Sequence, residues 1–218
     1  MSSAFRTLED VVSDDLFPQV DVDLRRGRHI GREDGEAYTF LIDALDHLEP
    51  FYRRFGAELV HRSDGYVYLL PSGDRIRRTH LDAAEMLVGQ ALALLYLDPA
   101  TVQQGGVVER EIVLERLSAL VGADALVQTL LTRRRKKKID ERVAADGVRA
   151  KVAAALRSLA GLGFVDLVDA DRVRLRPAAM RFAEPVRTAS DPTEALERLI
   201  ARGEIEVEAT PGDDGDDE

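Results

Sequence analysis

The stretch VAADGVRAKVAAALRSLAGLGFVDLVDADRVRLRP, from Val143 to Pro177, decides the fold. Val143–Leu162 sets Val148, Val152, Ala155, Leu156 and Leu159 on one face at helical spacing. Gly163 supplies a tight turn. Phe164–Val168 and Arg172–Arg176 then read as two strands around an Asp-rich turn. Val165, Leu167, Val173 and Leu175 are expected to face a core, and Arg172, Arg174 and Arg176 to face solvent. A helix feeding a hairpin is the recognition helix and wing of a winged-helix domain.

Working outward, the same order occurs about a hundred residues earlier. Glu36 to Phe55 reads as a helix, with Phe40, Leu41, Ala44, Leu45, Leu48, Tyr52 and Phe55 in period. Pro50 should kink or divide it, because proline lacks the N–H that the helix ladder needs. Glu58–Arg62 and Tyr66–Leu70, joined by Ser63-Asp64-Gly65, read as a hairpin. The fold class is therefore mainly α with small β-hairpin wings (α+β), built as tandem winged-helix domains. Residues 1–100 form the first domain, ending in a dimerisation helix, and residues 101–182 the second. C-terminal helices follow over 183–203, then a disordered acidic tail over 204–218.

The helix that Thr79 or Asp82 opens and that reaches Leu97 is apolar on more than one face. Such a helix must bury two sides. Either Leu81, Leu87, Val88, Ala91, Leu94 and Leu95 meet a second copy of the chain, or the second side is covered within the monomer. Asp98-Pro99 breaks the chain. Val108–Val121 reads as a helix with Ile112, Val113, Leu117, Leu120 and Val121 inward, and Ala125–Leu131 as a shorter one.

Charge is unevenly placed. The chain carries −10 overall, yet Arg133 to Arg157 holds ten Lys or Arg against three Asp or Glu. Glu204–Glu218 has eight acidic residues and no basic ones, so the rest of the chain is close to neutral. Arg133, Arg134, Arg135, Lys136, Lys137 and Lys138 repel one another unless solvated or met by an anion. They read either as a solvated loop or as contacts to DNA phosphates. Arg149, Lys151, Arg157, Arg172 and Arg174 extend the same candidate DNA surface. The long helix has no Asn or Gln to read adenine edges, which favours binding without sequence preference. The acidic tail reads as a solubilising end or as a competitor of DNA for the basic run.

Other chemistry is thinly supported. The chain has no Cys, which excludes disulfides, thiolate catalysis and cysteine zinc sites. No phosphate-binding Gly loop or Gly-x-Ser-x-Gly turn occurs. His29, His47, His61 and His80 stand at no metal-ligand spacing, so no metal or cofactor is expected, and the chain reads as non-enzymatic. Neither a signal peptide nor a membrane span is visible.

The N-terminal half carries a specific pattern: Leu16-Phe17-Pro18, then Leu24-Arg25-Arg26-Gly27-Arg28-His29-Ile30. With Phe51-Tyr52-Arg53-Arg54-Phe55, Asp64-Gly65-Tyr66-Val67-Tyr68-Leu69-Leu70-Pro71 and Val88–Leu97, it closely resembles the MukE family of bacterial condensin subunits. Shorter matches at Lys151-Val152, Leu162-Gly163, Arg181-Phe182 and Asp191-Pro192 carry the likeness to nearly the whole chain. The resemblance implies a KITE subunit of tandem winged helices that homodimerises and binds a MukF-like kleisin. Through it the subunit would join a MukB-like SMC ATPase acting on double-stranded DNA in the nucleoid of the cytoplasm. It implies chromosome segregation; a MksE/Jet-type plasmid-defence subunit and a winged-helix transcription regulator are the alternatives. One departure stands out: Ala160-Gly161 replaces a basic pair of the family, whereas Lys151 matches a basic family position.

Overall fold

The structure, a computed structural model, describes residues 5–131 and 141–183. The expectations for the basic run Arg133–Lys138, for the C-terminal helices beyond Ala183 and for the acidic tail lie outside these residues.

The first half runs α1 (Leu8–Val12), α2 (Phe17–Arg25), β1 (Ile30–Gly31), a 3-10 turn at Arg32–Asp34, α3 (Glu36–Arg53), β2 (Ala57–Arg62) and β3 (Tyr66–Pro71). Strand β3 is central, with β1 and β2 antiparallel on either side. Gly65, at φ +90°, turns the chain between β2 and β3, which an L side chain would resist.

The second half repeats this order. It runs α4 (Ala83–Tyr96), α5 (Pro99–Gln103), β4 (Val107–Glu109), α6 (Arg110–Val121), α7 (Ala123–Leu130), α8 (Glu141–Gly161), β5 (Val165–Leu167), β6 (Arg172–Leu175) and a 3-10 turn at Pro177–Phe182. Strand β6 is central, between β4 and β5. The chain is thus a mixed α+β protein with two small antiparallel sheets. Among the described residues, no helix is long and apolar enough to cross a membrane.

Four local expectations are corrected. Each sheet has three strands rather than two; β1 and β4 are too short to show an alternating pattern, and Val108 is a strand residue instead of a helix start. Pro50 does not divide α3, because it stands in the last turn and little helix remains to be broken. In α6, Leu114 joins Val113 and Leu117 in the core, while Ile112 and Leu120 are exposed. In the hairpin, Arg176 is buried instead of facing solvent, and Leu167 is exposed instead of facing the core.

Two cores result. Val20, Leu24, Leu41, Leu48, Tyr52, Leu59 and Val67 anchor the first. The second joins α4, α6, α8 and the β4–β6 sheet, with Val88, Leu92, Val113, Leu117, Val152 and Leu159 at its centre. All five apolar residues anticipated on α8 are buried in it. The sequence reading assigned α4 to the first domain; its packing joins it to the second core, which also takes in Tyr66 and Tyr68 of β3. Asp82 and Glu85 form a reciprocal capping box that starts α4. Gly89, at mid-helix, leaves the space that the Phe182 ring occupies.

The two halves are joined around β1. The His29 backbone N–H donates to the Leu162 carbonyl at 2.9 Å. The imidazole stacks near Tyr68 and Phe164, with Nδ1 3.1 Å from that same carbonyl and Nε2 2.7 Å from Arg181 Nη1. Arginine can only donate, so Nε2 accepts and Nδ1 carries the proton. Gly163, at φ +78°, lies so close to the His29 carbonyl that no side chain fits there. On the other side of β1, Arg176 donates to Asp34 at 2.8 Å and to Asp166 at 2.8 Å. Burial opposes ionisation of Asp34, but the Gly31 N–H and Arg176 outweigh it and hold its carboxyl below the ordinary range. Arg176 is itself held more firmly protonated, as Asp166 and Asp34 outweigh its burial.

Two predictions follow from this joint. Arg176→Ala leaves Asp166 without its partner and Asp34 with Arg28 alone, and should cost about 3 kcal/mol in urea unfolding. His29 is depressed to about 3 by burial and by the Arg181 charge, against the Leu162 carbonyl, which favours the protonated form. Between about pH 6.5 and pH 3, therefore, only the unfolded chain takes up this proton. Stability should fall as pH falls through that window, by about 2 kcal/mol between pH 6.5 and 5. A His29→Gln chain should lack this part of the pH dependence; identical profiles for the two chains would refute the assignment.

Candidate nucleic-acid interface

Helix α8 and the β5–β6 hairpin carry the cations that the sequence reading singled out. At 100° per residue, Arg149 and Arg157 lie 80° apart on α8, whereas Lys151 lies on the opposite flank of the buried stripe. All three are exposed, as are Arg172 and Arg174 on β6. The five do not form one surface.

Arg149 and Arg172 come together at a cleft of about 650 Å³ formed by the start of α6, the middle of α8 and the turn between β5 and β6. Its charged lining is Arg110, Arg149 and Arg172 against Glu109, Glu111, Asp169 and Asp171, a net −1. Arg149 lies 3.3 Å from Glu111 and 3.8 Å from Asp146. Arg172 Nε donates to Asp169 at 2.7 Å, and Arg110 lies 3.8 Å from Asp171. The Arg172 hydrogen bond lowers the Asp169 carboxyl below its ordinary value, and Asp169 in turn raises Arg172. These cations are neutralised at home. A phosphate entering the cleft would also meet the carboxylates, so the turn at Asp169–Asp171 is unsuited to reaching a DNA groove.

Lys151, Arg157 and Arg174 differ. Among the described residues their side chains make no hydrogen bond or ion pair. They are the cations in this region that remain available to an anion without first breaking a contact. Sequence reasoning grouped all five because spacing shows which residues are basic but not which of them an acidic neighbour already engages.

Helix α4 carries the candidate dimer contacts except Leu81, which precedes its Asp82 cap. Val88, Ala91 and Leu95 are 0–1 % exposed, covered within the chain by the second core. They therefore contribute to this chain's own packing. Leu81, Leu87 and Leu94 are only partly buried, and Leu97 and Val102, just beyond, are exposed.

Sequence reasoning did not single out the roles of Asp34, Arg176 and Arg181, and considered His29 only as a metal ligand. The available signal was the Arg28-His29-Ile30 segment itself: a polar pair entering an apolar position, which requires a buried partner. Beside it, Arg28 reaches Asp34 at 2.9 Å and Arg25 reaches Asp21 at 2.8 Å, so both arginines are internally paired. Among the described residues, no group of three or more His, Asp or Glu is placed to hold a metal ion.

Comparison with known proteins bears on the whole chain. The MukE-like family model matches residues 5–216. Chromosome partition protein MukE of Actinobacillus succinogenes is 37% identical over 94% of this chain and 82% of that protein. The proteins of the same name from Escherichia coli O157:H7 and Pectobacterium atrosepticum are 34% and 33% identical, over 90% and 96% of this chain and 87% and 92% of theirs. With this extent of match at both ends and through both sheets, the chain belongs to the MukE-like family.

Proposed function

We propose that the chain is the non-SMC subunit of a MukBEF-type condensin and serves chromosome partition as a structural component, not an enzyme. The observation that carries this reading is the near full-length match to proteins named for chromosome partition. The reading includes two tandem winged-helix units, supported by the repeated helix–strand–helix–hairpin order. It includes a homodimer that binds a MukF-like kleisin, and through it a MukB-like SMC ATPase, in the nucleoid of the cytoplasm. The dimer contact is assigned to the side of α4 that its own core leaves incompletely covered, at Leu87 and Leu94, with Leu81 just before the helix.

DNA contact is assigned to Lys151, Arg157 and Arg174 together with the run Arg133–Lys138. Arg149 and Arg172 contribute less, because Glu111 and Asp169 already engage them. Such a surface, poor in base-reading side chains, holds any duplex.

Co-purification with a MukF-like kleisin from the same genome tests the core of the proposal. A stable complex is expected, and failure of the two purified chains to associate would refute the condensin reading. In the assembled complex, reversing Lys151, Arg157 and Arg174 to Glu should flatten the salt dependence of random-duplex binding, lowering the slope by about 3. Reversing Arg149 and Arg172 should have a smaller effect. A preference of 10³ or more for one DNA sequence would instead indicate a transcription regulator.

A further inference from the structure

A second concavity lies away from the candidate DNA surface. It is a groove of about 450 Å³ along the seam between the two halves. Its floor is apolar, with Leu24 from the first half, Met86 from α4, and Leu162, Phe164 and Phe182 from the second. Its rim is cationic: Arg25, Arg77, Arg78 and Arg181 stand against a single carboxylate, Glu58. Arg25 is held by Asp21, and Arg181 lies on the Tyr68 ring beside His29. Arg77 and Arg78 are exposed and make no hydrogen bond or ion pair among the described residues. An apolar floor beneath two unengaged guanidinium groups fits a short segment that is apolar on one side and acidic on the other.

The chain itself contains such a segment. Glu204-Ile205-Glu206-Val207-Glu208 alternates acidic and apolar residues, so an extended conformation puts Ile205 and Val207 on one side and three carboxylates on the other. Asp213, Asp214, Asp216, Asp217 and Glu218 follow. The last described residue, Ala183, adjoins Phe182 on the groove floor. Twenty residues separate Ala183 from Glu204. That tether keeps Glu204 on the chain that carries the groove, which raises its effective concentration there. A separate acidic protein lacks that advantage, and a second copy has it only within a dimer.

We propose that Glu204–Glu218 docks into this groove of its own chain. Ile205 and Val207 lie on the apolar floor, and the carboxylates meet Arg77 and Arg78. The tail is then a built-in competitor: an acidic, partly apolar segment of any partner must displace it to enter the groove. This places the tail on the seam, not on the basic run before α8, and does not depend on the condensin reading.

The absence of native Cys makes a direct test available. Ser72 lines the groove and is exposed, so a full-length Ser72→Cys/Glu206→Cys chain should close an intramolecular disulfide under mild oxidant. It should run as a monomer on a non-reducing gel. Adding Arg77→Glu and Arg78→Glu should slow closure about tenfold, and so should high salt. A control pair, Glu111→Cys/Glu206→Cys, with one thiol at the other cleft, should close much more slowly. Equal rates for the two pairs, or indifference to salt and to the two arginines, would overturn the proposal. A product found chiefly as disulfide-linked dimer would do the same, by assigning the groove to a second copy's tail.

Discussion

A guanidinium buried between two carboxylates is the interaction on which the arrangement depends. Removing Arg176 from water is costly, and only the simultaneous approach of Asp34 and Asp166 offsets it. Asp34 comes from the 3-10 turn after β1 in the first half; Asp166 lies on β5 and Arg176 directly after β6 in the second. The three groups meet only when the halves are in this one relative position. Sliding one half against the other would pull Asp34 off Arg176 while both stayed shielded from water. Hydrophobic contact alone is tolerant of sliding; an ion triad with two fixed hydrogen-bond directions is not.

That fixed position determines what each cationic element can do. The basic residues on the seam are consumed in holding it: Arg176 by its carboxylates, Arg181 by His29 and Tyr68, and Arg28 by Asp34. The cations that remain available are Lys151 and Arg157 on α8, Arg174 on β6, and Arg77 and Arg78 on the rim of the seam groove. The chain thus has two separate places for anions, with an acidic cleft beside the first. Helix α4 shows a similar division of labour. Its burial by α6, α8 and Phe182 satisfies most of its apolar surface, and only part of one side is left for anything else.

Much of this was legible from local pattern. The α8 stripe of Val148, Val152, Ala155, Leu156 and Leu159 follows helical period without interruption, so its buried face could be read directly. The turns at Gly65 and Gly163 were legible for the same reason, since local chemistry specifies them. Strands β1 and β4 were not, because two or three residues carry no period. Arg176 was misread for a deeper reason. Alternation along β6 places it correctly on the same side as Arg172 and Arg174, but its burial is decided by Asp34, 142 residues away in sequence. Arg149 illustrates the same limit in the site: its charge was evident, whereas its engagement by Glu111 is a property of the folded chain. The family likeness was legible because it rests on contiguous segments, and several of these, including Arg28-His29-Ile30 and Leu162-Gly163, meet at the seam.

The placement of the two attachments around β1 has a mechanical consequence. His29 is fastened to Leu162 just before the strand, and Asp34 to Arg176 just after it. One fastening would act as a pivot, free to swing. Two, separated by the length of β1, resist torque about either point, much as a plate bolted at both ends does. The two attachments therefore oppose rotation of one half against the other about either point.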